Sequence, residues 1–331
     1  MRFDASLPPM SLRQVPAVAQ AAEAMGFDAI WTTETQHNPF LPHALIAEHT
    51  QRITMGTAVA IAFARSPADL AYTAWDLADA SQGRFILGLG TQVKAHITRR
   101  FGMTWPDSVV VMFREQIQAI RAFWHTWQTG EPLNFRGSYY KLTLMSPFFN
   151  PGPIEHPEIP IYIAGVNTGL ARLAGEVTDG FLVHPFHTVR YLREVLLPAI
   201  EKGAARAGRS RRDVQIMLTA FVVTDEQERD FVRQQVAFYA STPSYRKVMA
   251  LHGWEEVAER LSALAARGRW DEMPALVSDE MLATFATIAS PAELAAALRE
   301  RYAGLADRLA LYTPFVPGQR DAFWKALLAE A

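Results

Sequence analysis

The chain alternates amphipathic stretches with short, almost wholly apolar runs, and a glycine often marks the change between them. Residues 11–25 carry apolar positions at helical spacing, opened by Ser11 with Gln14 three residues on, the spacing of a capping box. Gly26 ends that pattern and Phe27–Trp31 reads as a buried strand. Ser66-Pro67-Ala68-Asp69 opens the next helix: serine can cap, proline fits the first turn, and aspartate suits the positive end of the helix dipole. That helix runs to about Ser81, and Gly83 precedes the strand Arg84–Gly88. The rhythm continues through strand Ile159–Ala164, a helix from about Thr168 to Thr178, strand Phe181–Val183, a helix over 188–207 and strand Val214–Val223. Ser290-Pro291-Ala292-Glu293 starts a late helix before a last strand at Leu309–Tyr312. Phe3–Leu7 and Ile53–Val59 complete a set of eight strands.

Strict alternation of short apolar strands with helices implies a parallel sheet, and eight units suffice to close a TIM-type (β/α)8 barrel. An open doubly wound sheet has the same periodicity. Two stretches exceed a minimal barrel. Residues 130–158, rich in glycine and proline, predict a short hairpin around Leu133–Leu142, and 241–289 predict several short helices. Both are apolar enough to pack, so they read as insertions on a single domain spanning 1–331 rather than as linkers.

Composition narrows the chemistry. Half of the 331 residues are hydrophobic and a fifth are charged, a globular balance able to build a sizeable core. The net charge of −2 gives no reason to expect nucleic acid or an anionic membrane as partner. Cysteine is absent, which excludes disulfides, thiolate metal sites and thiol nucleophiles. The start Met1-Arg2-Phe3-Asp4 carries no basic-then-apolar leader and no apolar run approaches membrane-spanning length, so a cytoplasmic protein is expected.

In a barrel the loops after the strands form the active face. Those loops hold four of the nine histidines: His37 after the second strand, His96 after the fourth, His184 and His187 after the sixth. Gly88-Leu89-Gly90 has the start of a dinucleotide fingerprint, but Val93 occupies the third glycine position and no ribose-binding acid follows. The two glycines read instead as a place where something flat approaches the backbone. Gly165–Gly169 joins a strand to a helix; it is either a phosphate cradle of backbone N–H groups or an ordinary tight turn. His37, His43 and His49 recur every six residues, which places helical neighbours about 120° off register, so they do not form a metal face. His43 and His49 read as structural or solvent-facing, whereas His37 lies in a loop and is the functional candidate.

Taken together, Gly26–Glu34, Met55-Gly56-Thr57-Ala58-Val59, Gly83–Thr91, Ile161–Gly165 and Thr178–Phe181 resemble, in order and spacing, the luciferase-like monooxygenase superfamily and its coenzyme F420-dependent oxidoreductase branch. The resemblance covers about 1–225 and returns near 290–315. It implies a barrel that holds a tricyclic flavin-like ring at the strand C-terminal ends, backed by a bulge with a non-prolyl cis peptide at Ala58–Val59 next to Thr57. It also implies that Thr91, Gln92 and His96 face the ring or its ribityl chain, and that Gly165, Val166, Asn167 and Thr168 hold the cofactor phosphate.

The chain departs from a deazaflavin sugar-phosphate dehydrogenase of that superfamily. There an acid and a catalytic histidine follow strand two, where this chain has Glu34 and Thr35; the second catalytic acid falls on Val93. Sugar phosphates are therefore not the expected substrate. The expected activity is hydride exchange between coenzyme F420 and a small organic substrate, with FMN the alternative cofactor; the sequence leaves the oligomeric state open, a homodimer being frequent in the superfamily. A cofactor-binding protein without catalysis is the rival of a different class. Glu34 is the first candidate for proton transfer or for fixing a ring group, with a barrel-mouth salt bridge the competing role, and His37 and His96 are alternatives because imidazole exchanges protons near neutrality.

Overall fold

A computed structural model describes residues 1–329. Its strands are β1 (Arg2–Ser6), β2 (Ala29–Thr32), β3 (Thr54–Thr57), β4 (Ala60–Ile61), β5 (Phe85–Gly90), β6 (Phe135–Arg136), β7 (Lys141–Leu142), β8 (Ile161–Gly165), β9 (Gly180–Val183), β10 (Gln215–Val223), β11 (Ala286–Ile288) and β12 (Arg308–Leu311). The parallel order β1-β2-β3-β5-β8-β9-β10-β12 returns to β1 through Arg2↔Arg308, Phe3↔Leu309 and Asp4↔Ala310. That closure distinguishes a TIM barrel from an open doubly wound sheet, which would leave two edges unpaired.

Alternation along the strands sorts two cores. Phe3, Ala5, Ile30, Met55, Phe85 and Leu87 face outward into the main layer between barrel and helices. A second cluster, including Trp31, Ile86, Tyr162, Leu182 and Met217, is separate from that layer and fills the barrel. At its base the Asp4 carboxylate accepts from Arg308 Nε (2.8 Å), a second Arg308 nitrogen (2.7 Å) and Trp31 Nε1 (2.8 Å). Burial raises the Asp4 carboxyl and the Arg308 charge opposes that rise. With three donors on its two oxygens, Asp4 is held as the anion of a buried pair.

Several local expectations change. The α-helix over 11–25 begins only at Val15, after a 3-10 turn at Leu12–Gln14 in which Gln14 N–H bonds the Ser11 carbonyl (2.9 Å); the Ser11 hydroxyl caps nothing. Ser66 does cap, accepting from Asp69 N–H at 3.1 Å. The third strand is interrupted between β3 and β4. The stretch 241–289 contains a strand as well as helices, because β11 adds in parallel to β10 through Phe221↔Ala286 and its neighbours. The late helix starts at Leu294 rather than Ser290, whose hydroxyl bonds the Glu293 carboxylate (2.6 Å). The expected hairpin shortens to β6–β7; Glu115 accepts from the turn amides of Ser138 (2.8 Å) and Tyr139 (2.7 Å), which holds its carboxyl below the usual range against the opposing cost of burial. Among the described residues no helix is long and apolar enough to cross a membrane.

Candidate active site at the barrel mouth

The break in the third strand builds one wall of the mouth. The Ala58–Val59 peptide is cis, Ala58 N–H bonds the Thr32 carbonyl (2.7 Å), and β4 resumes pairing with β5. The resulting bulge crosses toward β5, and the Gly88-Leu89-Gly90 sequence makes room for it. A Cβ on Gly88 would lie 1.7 Å from the Thr57 carbonyl oxygen, and one on Gly90 would lie 2.6 Å from Val59 Cγ2. This corrects the reading of the glycines as a surface for a flat ligand: their space is taken by the bulge. Thr57 is fully buried; its hydroxyl donates to Gly88 O (2.6 Å) and accepts from Gly88 N–H (3.0 Å). The side chain of Thr57 thus fastens the bulge, while Ala58 and Val59 stay half-buried above the barrel-filling cluster.

Glu34 ties the loop after β2 to the far end of the bulge. Its carboxylate accepts from both terminal nitrogens of Arg65 (2.7 and 2.9 Å) and from Ile61 N–H (2.6 Å). Arg65 also donates to the Ile61 carbonyl (3.1 Å) and lies 5.2 Å from the Phe40 ring centroid. A carboxylate so occupied is a brace across the mouth, the competing role considered for it from sequence. His37 is exposed, lining a niche with Pro8, Met10 and Asn38, and His96 is exposed on the helix Lys94–Arg99. His43, by contrast, is fully buried. Thr32 Oγ1 donates to the Pro39 carbonyl (2.8 Å), so His43 Nε2–H donates to Thr32 (2.8 Å), and burial lowers the His43 pKa to about 3.

The ends of β5 and β8 supply small polar groups. Thr91 and Gln92 are half-buried; Gln92 adopts φ 60° and its Oε1 accepts from Val93 N–H (2.9 Å). After β8, Gly165 avoids a 2.6 Å clash with Leu170 Cβ, and Asn167 is the N-cap residue of the helix Thr168–Val177. That N-cap makes no side-chain cap bond. Asn167 Oδ1 is buried without a partner, and its Nδ2 reaches only Ser244 O at 3.5 Å. The first-turn N–H groups are left for another acceptor, while Tyr191 Oη steadies the turn by donating to Val166 O (3.0 Å).

Sequence reasoning reached only part of the opposite side of the mouth. His184 follows β9 and Tyr312 follows β12, and the helix Glu226–Ala240 with the segment after it brings Gln235, Tyr239 and Tyr245 against them. The His184 ring stacks on Tyr245 (4.7 Å, 30°) and stands edge-on to Tyr239 (4.8 Å, 89°). Enclosure drops the His184 pKa to about 3, so the ring is neutral. His184 and Tyr312 were readable as strand-end residues; the tyrosines from the neighbouring helix and insertion carried no sequence signal.

Comparison with known proteins agrees with this geometry. The model of the luciferase-like monooxygenase family matches residues 2–308. A Mycobacterium tuberculosis protein of uncharacterised function is 42% identical over 315 residues, covering 93% of this chain and 92% of its own. The 5,10-methylenetetrahydromethanopterin reductase of Archaeoglobus fulgidus is 27% identical, with coverage of 96% and 94%. In fold, the chain is similar to the coenzyme F420-dependent tetrahydromethanopterin reductase of Methanopyrus kandleri, with a TM-score of 0.79 at 20% identity over 100% of this chain and 98% of that one. A family match over nearly the whole chain, on a closed barrel with the interrupted third strand, places this protein in the luciferase-like monooxygenase family.

Proposed function

We propose that the protein is an oxidoreductase that binds coenzyme F420 at the barrel mouth and exchanges hydride with a small organic substrate. The observation that carries this reading is the conjunction of the Ala58–Val59 bulge with an uncapped helix N-terminus two strands away around the barrel. The residues present fit such a cofactor. The bulge presents small, half-buried side chains to a planar ring, and the Asn167 amide N–H, held only by a 3.5 Å contact with Ser244 O, stands beside uncapped first-turn N–H groups, donors suited to a phosphate. The deazaflavin, when bound, supplies the hydride chemistry.

The chain's own residues then do four things. Gly165, Val166, Asn167 and Thr168 would hold the phosphate through backbone N–H groups, with the Asn167 side-chain amide N–H as a further donor. Ala58 and Val59 support one face of the ring, with Thr57 fastening them from behind, and Thr91 and Gln92 border the ribityl side. Glu34 and Arg65 together fix the bulge relative to the loop after β2, so Glu34 is a positioning residue. His96 and His37, exposed at the rim, are the candidate proton-transfer groups, His96 as a hydrogen-bond donor toward the cofactor and His37 toward the substrate.

Titration with F420 and with FMN, each oxidised and followed by absorbance and fluorescence, tests the reading. Saturable F420 binding that weakens when Asn167 or Ala58 is replaced supports it. Tight FMN binding with no F420 binding overturns it in favour of a flavin-dependent monooxygenase, and binding of neither removes the cofactor assignment.

A further inference from the structure

The wall over β9, β10 and β12 is built from polar aromatic groups whose hydrogens can be assigned. Phe186 N–H donates to His184 Nδ1 (3.0 Å), so the neutral ring carries its proton on Nε2 and donates it to Tyr245 Oη (3.1 Å). Tyr312 donates to Gln235 Oε1 (2.9 Å), so the 3.0 Å contact between Tyr239 and Tyr312 is a donation from Tyr239. Of the hydroxyl and imidazole hydrogens in this chain of contacts, only the O–H of Tyr245 finds no acceptor among the described residues; the Gln235 amide N–H groups find none either. His184, Gln235, Tyr239, Tyr245 and Tyr312 are all half-buried rather than sealed. Among the described residues, no carboxylate, arginine or lysine hydrogen-bonds to any of the five. Tyr245 is also next to Ser244, the residue touched by Asn167, so this wall adjoins the proposed phosphate turn.

We propose that Tyr245 is the hydrogen-bond donor to an oxygen of the substrate, and that the part of the substrate held here is uncharged and planar, as in an aryl ketone or its alcohol. The inference rests on the oxidoreductase reading above for the word substrate, but its chemistry follows from the wall alone. A donor without an acceptor selects an oxygen lone pair, aromatic faces select a flat apolar body, and a lining without countercharges penalises an ion. His184 acts through Tyr245: its donation to Oη fixes the phenol's orientation and leaves the O–H pointing away from the histidine. Burial raises the Tyr245 phenol to about 12, which keeps that proton in place at neutral pH.

The test uses the protein loaded with whichever of F420 and FMN it binds, or the bare chain if it binds neither. Acetophenone and its charged analogue 4-acetylbenzoate are titrated by ligand-observed NMR. Acetophenone is expected to bind about tenfold more tightly than 4-acetylbenzoate. Tyr245→Phe should weaken acetophenone by about fivefold while cofactor affinity stays unchanged, and Tyr239→Phe, whose proton already goes to Tyr312, should change it by less than about twofold. Equal affinity for the two probes, no acetophenone binding, or an unaffected Tyr245→Phe variant overturns the proposal. Failure of the cofactor titration alone overturns the oxidoreductase reading and leaves the probe result to stand on its own.

Discussion

The two sides of the barrel mouth are made of different materials. From β3 to β8 the wall is backbone: a bulge at Ala58–Val59, glycines at 88, 90 and 165, and the uncapped helix start at Thr168. From β9 to β12 it is side chain, with His184, Tyr239, Tyr245 and Tyr312 meeting ring to ring. Backbone groups and small residues cannot be exchanged without moving strands, so that side suits a ligand that every relative in a family would share. Large side chains can be replaced one at a time on an unchanged barrel, so the other side is where a family would vary what it acts on. On the proposed reading, the cofactor takes one half and the substrate the other.

The most severe way to break the first half is Gly88→Ala. The added methyl would meet backbone, the Thr57 carbonyl oxygen at 1.7 Å and its carbon at 2.9 Å, and neither can move without shifting the bulge. A loss of about 3 kcal/mol in urea unfolding is expected, with cofactor binding abolished. Gly90→Ala meets the Val59 side chain at 2.6 Å and should cost less, because a rotamer can yield where a carbonyl cannot. If the two variants behave alike, the bulge is not a rigid element.

A smaller effect is expected at the brace. Glu34→Gln and Arg65→Met each break a charge-assisted pair and should each cost about 2 kcal/mol of stability. Both should also reduce turnover by at least about tenfold. If Glu34 positions the bulge, the double variant will be little worse than either single one, as for two ends of one contact. A Glu34 that carries the proton instead predicts that Arg65→Met keeps most of its turnover while Glu34→Gln loses it. A double-mutant cycle on kcat separates the two.

The side-chain half should be the more acid-sensitive one, with two buried neutral histidines against His43 alone on the other side. Burial lowers His184 to about 3 and His187 to about 4, so both are neutral in the folded barrel. Unfolded histidine takes up a proton below about 6.5, so the unfolded state binds more protons as pH falls from there. Stability contributed by each neutral ring is complete above about 6.5 and declines by ~1.4 kcal/mol per pH unit toward the folded value. His184→Gln should remove one such increment from the slope of unfolding free energy between about pH 6 and 4, measured by urea titration at each pH. An unchanged slope would mean that the His184 ring accepts a proton in the fold.

Residues also differ in how readily the sequence discloses them, and the reason is again local versus distant. The eight barrel strands were readable because parallel strands buried on both faces are continuous apolar runs. Ser66 was readable as a cap because its partner, Asp69, is three residues away. Gly88 was visible as a glycine but not for its cause, since the Thr57 oxygen that forbids a side chain lies 31 residues earlier in the chain. Glu34 stands out in the sequence as a strand-end acid, yet its ion pair with Arg65 also spans 31 residues. β11 was hidden because three residues leave no period, and the His184–Tyr245 contact because it joins positions 61 apart through an insertion. Ser11 shows the reverse error: the capping spacing is present, but a 3-10 turn satisfies Gln14 N–H through the Ser11 carbonyl and leaves the hydroxyl idle.

The smallest expected change in stability is also the sharpest comparison, between two helix starts on the same barrel. Ser66 caps its helix by accepting from Asp69 N–H, and Ser66→Ala should cost ~1 kcal/mol in unfolding free energy, as such caps do. Asn167 stands at the same position of its own helix and makes no cap bond, so Asn167→Ala should cost less than about 0.5 kcal/mol. The side chain is then free for something else. If that is the cofactor phosphate, Asn167→Ala will weaken cofactor binding by about tenfold while Ser66→Ala leaves it unchanged, because a hydrogen bond to a charged group is worth ~1.5–3 kcal/mol. The two measurements, urea unfolding and cofactor titration on both variants, should therefore cross: the cap that matters for folding is silent in binding, and the cap that is silent in folding matters for binding. Equal losses of stability at the two positions would show that Asn167 is an ordinary cap and would return Gly165–Thr168 to the ordinary tight turn that its sequence also allows.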